Sequence, residues 1–93
     1  MKTIEEIKGF INDGCYHSIS WDDMVNGLSY EELELMRQYY LNSDIPLVIF
    51  HSIKNECVMD KVNMICVFMR LMACEYLIDD DIPRARNICS YFD

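Results

Sequence analysis

Apolar residues along this chain recur every three to four positions, with polar residues falling between them. This spacing is typical of amphipathic helices that pack on one core. It predicts helices near 4–13, 21–27, 30–42, 46–57, 60–78 and 83–91. Residues 47–50 have the propensity of a strand, but no alternating pattern accompanies them. The expected fold is therefore all-α, a compact bundle of five or six short helices.

Helix-start signals mark several of these boundaries. In three places a hydroxyl residue stands three positions before a carboxylate residue. At such a spacing both side chains can accept hydrogen bonds from free backbone amides of the first helical turn. These pairs are Thr3 with Glu6, Ser20 with Asp23, and Ser29 with Glu32. Pro46 and Pro83 suit the first turn of two further helices, because proline has no amide hydrogen to leave unpaired there. Turns are expected at 13–14, 27–28, 42–43 and 79–81.

The length and apolar content of the chain predict a single helical domain over 1–93. Its 93 residues are 52% hydrophobic and include only 3 Gly and 2 Pro, which suits one compact core. The predicted helix 60–78 is apolar almost all round, with Asn63 and Arg70 on one narrow polar stripe. It is slightly short of a bilayer span and also contains Glu75, so it is expected to be buried rather than in a membrane. The apolar surface of this helix would be buried by other helices of its own chain or by another copy of the chain.

A sequence pattern that occurs twice in the chain predicts αα-hairpin repeats. Residues 35–41 ahead of 44–46 parallel residues 71–77 ahead of 81–83, at an offset of 36 with one inserted residue. Periods of this size are typical of helical-hairpin arrays. The junction at 76–85 resembles that of a tetratricopeptide repeat, with Tyr76, Asp81 and Ala85 matching in spacing. The match covers about half a repeat, and the resemblance implies a non-catalytic protein-binding scaffold.

Charge favours a basic partner. The chain has 16 acidic and 8 basic residues, a net charge of −8, and no Lys or Arg between Lys8 and Arg37. This balance disfavours direct binding to nucleic acid or to anionic membranes. Ten of the carboxylates stand at predicted helix starts, where each stabilises the positive helix end. Capping explains their positions but not the shortage of basic residues, so both a binding face and simple helix capping remain open.

The thiols indicate a reducing, cytoplasmic setting. Five cysteines, an odd number without a C-x-x-C pair, disfavour a disulfide scaffold. The amino terminus lacks the uninterrupted apolar stretch of a signal peptide.

Candidate chemistry is sparse. Cys15, His17 and Asp13 have the residue types of a thiol nucleophile with its base, but one short turn does not bring three such side chains together easily. Residues 79–81 contain three aspartates without the alternating ligands of a calcium loop, and no zinc-finger spacing occurs. We therefore expect no enzyme activity, no metal and no cofactor.

The leading functional prediction is a small acidic inhibitor or adaptor that binds a basic protein surface. A phage protein that blocks a nucleic-acid-binding enzyme by mimicking DNA would have these properties. The alternative is a self-associating helical-hairpin scaffold, such as a homodimer, that binds an apolar partner helix or peptide. Ionic strength separates the two, because only charge-driven binding weakens sharply with salt. The predicted partner-binding residues are Trp21, Asp22, Asp23, Glu31, Glu32, Glu34 and Tyr39.

Overall fold

The computed structural model describes residues 1–17, 20–45 and 60–92, which form five α-helices and one short 3-10 helix. These are α1 (Ile4–His17), α2 (Trp21–Gly27), α3 (Tyr30–Leu41), α4 (Lys61–Ile78), α5 (Ile82–Cys89) and the 3-10 helix (Ser90–Phe92). The described ranges contain no strand, which confirms the all-α prediction. The predicted helix 46–57, together with Pro46, lies outside the described residues.

The predicted helix-start pairs form the expected bonds. In each pair the hydroxyl oxygen accepts the backbone amide three residues on: Thr3 from Glu6 at 3.3 Å, Ser20 from Asp23 at 3.2 Å, and Ser29 from Glu32 at 3.1 Å. Only Ser29 and Glu32 complete a reciprocal capping box. Asp60 begins α4 in the same way, accepting the Asn63 amide at 2.8 Å, although its role was not predicted.

Helix α4 is the centre of the structure, in contact with all four other helices. Seven of its residues are buried: Ile65, Val67, Phe68, Met69, Leu71, Met72 and Ala73. Asn63 and Arg70 are exposed, as the predicted polar stripe requires. Most of the apolar surface of α4 is therefore covered within one chain, and this helix does not by itself require a second copy.

Among residues 1–17, 20–45 and 60–92, no helix has the combined length and apolar character needed to span a bilayer.

Helices α4 and α5 form the predicted αα-hairpin. Three backbone bonds end α4: Asp79 N to Glu75 O at 3.0 Å, Asp80 N to Leu77 O at 3.2 Å, and Asp81 N to Tyr76 O at 2.7 Å. The last two form a Schellman turn, in which Asp80 takes the left-handed conformation (φ 61°) that glycine usually supplies. Asp81 then caps α5 by accepting the Arg84 amide at 3.4 Å. The aspartates at 79–81 thus end one helix and begin the next.

The predicted turn at 13–14 is wrong, because α1 continues through it to His17. Gly14 has no positive φ, so it does not act as a helix-ending glycine. It instead allows close packing: a Cβ added there would lie 2.7 Å from Met24 Sδ of α2. The carboxyl end of α1 also meets the 3-10 helix, where the Tyr91 hydroxyl donates to Gly14 O and the Tyr91 ring packs edge-on against Trp21.

A matched pair of glycine substitutions in α1 tests this packing. Gly9 is exposed, and a Cβ added there meets nothing within 4 Å, so Gly9→Ala should stabilise the fold by about 0.5–1 kcal/mol. Gly14→Ala gains the same helix propensity but displaces Met24, so it should lower stability by about 1 kcal/mol. Urea unfolding measures both variants, and equal stabilisation by the two would contradict the close approach of α1 and α2.

Candidate functional site

Two lysines donate hydrogen bonds to carbonyls at the carboxyl end of α2. Lys2 Nζ donates to Gly27 O at 2.7 Å. Lys61 Nζ donates to Leu28 O at 2.8 Å and to Val25 O at 3.4 Å. The last carbonyls of a helix lack partners within it and carry partial negative charge, so an ammonium group stabilises them. Both positive charges are therefore directed to the backbone of their own chain.

A third lysine joins a polar network between α1, α3 and α4. Lys8 Nζ donates to Glu75 Oε1 at 2.7 Å, and the Tyr39 hydroxyl donates to the same oxygen at 2.8 Å. The Tyr40 hydroxyl donates to Glu75 Oε2 at 3.1 Å. The Lys8 and Glu75 side chains are only 11% and 18% exposed, so their charges are largely withdrawn from the surface.

The pKa values of this network reflect its mutual hydrogen bonds. Burial alone would raise the pKa of Glu75, but the bonds from Lys8 and Tyr39 outweigh it and hold the pKa below its usual value. Burial likewise opposes the charged form of Lys8, and its contact with Glu75 still raises the Lys8 pKa. The pKa of Tyr40 is raised by burial and by the neighbouring Glu75 charge. Glu75 is thus held as a carboxylate and Lys8 as an ammonium.

Among exposed side chains, acidic residues outnumber basic ones by a larger ratio than in the whole sequence. In the described ranges eleven carboxylate residues are exposed: Glu5, Glu6, Asp13, Asp22, Asp23, Glu31, Glu34, Asp44, Asp60, Asp79 and Asp80. The exposed basic residues there are Arg70, Arg84 and Arg86, all on α4 or α5. Eight of the eleven carboxylates belong to the part of the chain that carries α1–α3. Within residues 1–17 and 20–45 no Lys or Arg reaches the same exposure.

Glu32 corrects the predicted binding set, because its side chain points inward and the residue is 6% exposed. Its Oε1 accepts the Ser29 amide at 2.9 Å, and its Oε2 accepts the Lys2 amide at 2.9 Å. The Ser29 bond is the main cause that lowers the pKa of Glu32 to about 2, against the opposing effect of burial and with further help from Lys2. Glu32 therefore fixes the amino-terminal residues against α3 and is not available to a partner.

A shallow and mainly apolar depression runs along the outer side of α3. It has two parts that share Leu35 and Gln38. We call both parts together the α3 groove. The first part also contains Ile4, Tyr39, Asn42 and Ser43, and the second contains Met1, Tyr30, Glu31 and Glu34.

The groove contains some of the predicted partner-binding residues. Glu31, Glu34 and Tyr39 line it. Asp22 and Asp23 are exposed in the first turn of α2 and line neither part, and Trp21 is partly buried against the core. Sequence reasoning missed three of the residues that make the groove apolar, namely Met1, Ile4 and Leu35. The spacing of positions 31, 35, 38 and 42 could have indicated that these residues share one side of α3. No pattern in the sequence indicated that residues 1–4 pack beside α3.

The candidate thiol and metal groups lie partly within the described residues. Burial raises the pKa of Cys15 to about 11, which suppresses the nucleophilic thiolate. The side chain of His17 lies outside what the structure describes. Within residues 1–17, 20–45 and 60–92, no group of three His, Cys, Asp or Glu side chains is arranged to hold a metal ion.

Comparison of the chain with protein families, with curated proteins and with solved structures finds no significant match. The tetratricopeptide resemblance therefore stays a prediction.

The inward position of Glu32 predicts a pH-dependent contribution to stability. Since its folded pKa lies near 2 and its ordinary value is 4.5, the stabilisation is complete above the ordinary value and is lost as pH falls toward 2. Glu32→Gln keeps one acceptor oxygen but loses the charge, so it should cost about 1–2 kcal/mol at pH 7. That difference from the unsubstituted protein should shrink between pH 5 and pH 2 in urea unfolding.

Glu31→Gln is the matched control for this measurement. Glu31 is exposed in the same helical turn, so its substitution should change stability by less than about 0.5 kcal/mol. Equal effects of the two substitutions would show that Glu32 is not buried against Lys2.

A double-mutant cycle on Lys8 and Glu75 tests the second network. Lys8→Met leaves a partly buried carboxylate without its cation and should cost on the order of 2 kcal/mol. Glu75→Met should cost a similar amount, because it leaves Lys8 and two hydroxyls unpaired. The double variant should recover more than about 1 kcal/mol relative to the sum of the single losses. Additive losses in urea unfolding would mean that the two side chains do not interact.

Proposed function

We propose that this chain is a small non-catalytic binding protein whose acidic helical surface recognises a basic region of another protein. The observation that carries the proposal is the separation of charge. Lys2, Lys8 and Lys61 donate to acceptors of their own chain, while eight carboxylate residues of the α1–α3 part are exposed. No Lys or Arg side chain of equal exposure lies among those carboxylates in the described residues, so negative potential dominates this part of the surface.

Such a field favours cationic partners and repels polyanions. Complementary charge steers encounter and selects partners, even where it adds little to final affinity. Phosphate backbones and anionic lipid surfaces carry the same sign as this surface and are poor partners for it. A basic protein patch is the target that the exposed side chains support.

The narrower proposal is that the partner is a nucleic-acid-binding enzyme and that the chain is an inhibitor of the DNA-mimic type found in phages. A protein groove that binds nucleic acid presents clustered Lys and Arg to closely spaced phosphates. Exposed carboxylates on short helices offer such a groove an alternative set of anions.

The cytoplasm is the compartment that we propose for this interaction. The four cysteines that the structure describes, Cys15, Cys66, Cys74 and Cys89, are all free thiols. Free thiols, one of them exposed, suit a reducing compartment better than an oxidising one.

Displacement of DNA tests the proposed function. Purified nucleic-acid-binding enzymes, each loaded with fluorescent duplex DNA, are titrated with this chain, and anisotropy reports release. We expect release from at least one enzyme, weakening as salt rises. Neutralising Asp22, Asp23 and Glu31 with Asn, Asn and Gln should weaken it at least tenfold, about 1.4 kcal/mol.

The control variant neutralises Asp60, Asp79 and Asp80 with Asn, which changes the net charge equally on the other part of the chain. Asparagine caps a helix as well as aspartate does, so the start of α4 should survive. Release should fall less than threefold. If no enzyme releases DNA, or if only the control set weakens release, the proposed function is wrong.

A further inference from the structure

We infer that the α3 groove binds a basic amphipathic helix of the partner protein, with apolar residues along the groove and Lys or Arg beside Glu31 and Glu34. This inference rests on the proposed function and names the contact site and the chemistry of its occupant. Four features of the groove carry it: its dimensions, its exposed apolar residues, its rim charge and its preformed walls.

The dimensions suit a short helix. The lining positions 31, 35, 38 and 42 recur at helical spacing, so they follow one side of α3 from its first turn to its end. Helix α3 has 12 residues, which span about 18 Å at 1.5 Å each. A partner helix of about three turns, with apolar residues at i, i+4 and i+7, matches that length.

The groove also exposes apolar side chains that the core has left uncovered. Met1 is 80% exposed and Tyr30 is 60% exposed, beside the partly buried Leu35 and Tyr39. Neighbouring exposed apolar residues with a polar rim are typical of interaction sites, and an aromatic ring is an effective anchor there.

The rim charge selects the sign of the occupant. Glu31 is exposed, and the Glu34 side chain is 52% exposed. Glu34 Oε1 accepts from Arg37 at 2.8 Å and from Gln38 at 2.9 Å. An ion pair this exposed contributes little, so a partner cation can replace or share it. A second copy of this chain would place its own glutamates against these, which argues against self-association through the groove.

Hydrogen bonds to the rest of the chain hold parts of the groove in place. Lys2 donates its backbone amide to Glu32 Oε2 and its ammonium group to Gly27 O, which holds the neighbouring Met1 and Ile4 beside α3. Tyr39 is held from the other side by its hydroxyl bond to Glu75. When the groove is already formed, little binding free energy is lost in ordering its side chains, so a short helix can bind measurably.

Designed peptides test the inference directly. The probe is a labelled 14-residue peptide with Leu at i, i+4 and i+7 and Lys at flanking positions, and fluorescence anisotropy at low salt reports binding. Its comparisons are a scrambled peptide of equal composition and a peptide with Glu in place of Lys. We expect the basic amphipathic peptide to bind at least tenfold tighter than either.

Substitutions in the protein locate the contact. Tyr30→Ala and Leu35→Gln should each weaken the basic peptide at least fivefold. The double change Glu31→Lys with Glu34→Lys should abolish its binding and create binding of the Glu peptide. Leu77→Gln is the matched control, because Leu77 is 51% exposed at the end of α4 and lines neither part of the groove. Circular dichroism of each variant confirms that the helices are retained.

Three outcomes would overturn the inference. They are equal binding of the scrambled peptide, loss of binding with Leu77→Gln but not with Tyr30→Ala, and a dimer in sedimentation that Tyr30→Ala dissociates. The DNA-displacement measurement keeps the proposed function separate. Release that persists in Tyr30→Ala and Leu35→Gln would reject the groove alone, whereas absence of release by the unsubstituted protein would reject the function itself.

Discussion

The inward direction of three lysines is the constraint on which the other features depend. Lys2 and Lys61 supply cations to the carboxyl end of α2, a helix of seven residues without a basic residue in its last turn. Lys8 compensates Glu75 where α1, α3 and α4 meet. Each contact solves a local problem of an unpaired carbonyl or a partly buried charge. As a result, all three ammonium groups lie beside acceptors within the fold and none of them pairs with an exposed carboxylate of α1–α3.

Lys2 also connects this charge distribution to the shape of the surface. Its amide and its ammonium group are bonded to different parts of the α2–α3 region, which places residues 1–4 beside α3. The first part of the α3 groove depends on Ile4 and the second on Met1. The same residue that leaves the acidic surface unbalanced therefore also builds an apolar depression next to it.

Short-range patterns in the sequence predicted the helices well, because capping depends on residues three positions apart. Ser20, Ser29 and Asp81 begin helices as expected, and α4 is buried as its apolar character requires. Long-range packing was not visible in the same patterns. Gly14 is a site of close helix contact instead of a turn, and Glu32 is buried by a lysine 30 residues away. The candidate site was half predicted for this reason: Glu31, Glu34 and Tyr39 were predicted, but the contribution of Met1, Ile4 and Leu35 was not.

The hydroxyl of Tyr91 has a mechanical role beyond its single bond. Gly14 belongs to the last turn of α1, and the Tyr91 hydroxyl donates to its carbonyl across 77 positions of sequence. The ring of Tyr91 meanwhile packs against Trp21 at the start of α2. The 3-10 helix near the carboxyl terminus therefore contacts both α1 and α2. If it frayed, both helices would lose these contacts. Such coupling makes distant segments open as one cooperative unit instead of unravelling from the terminus inward.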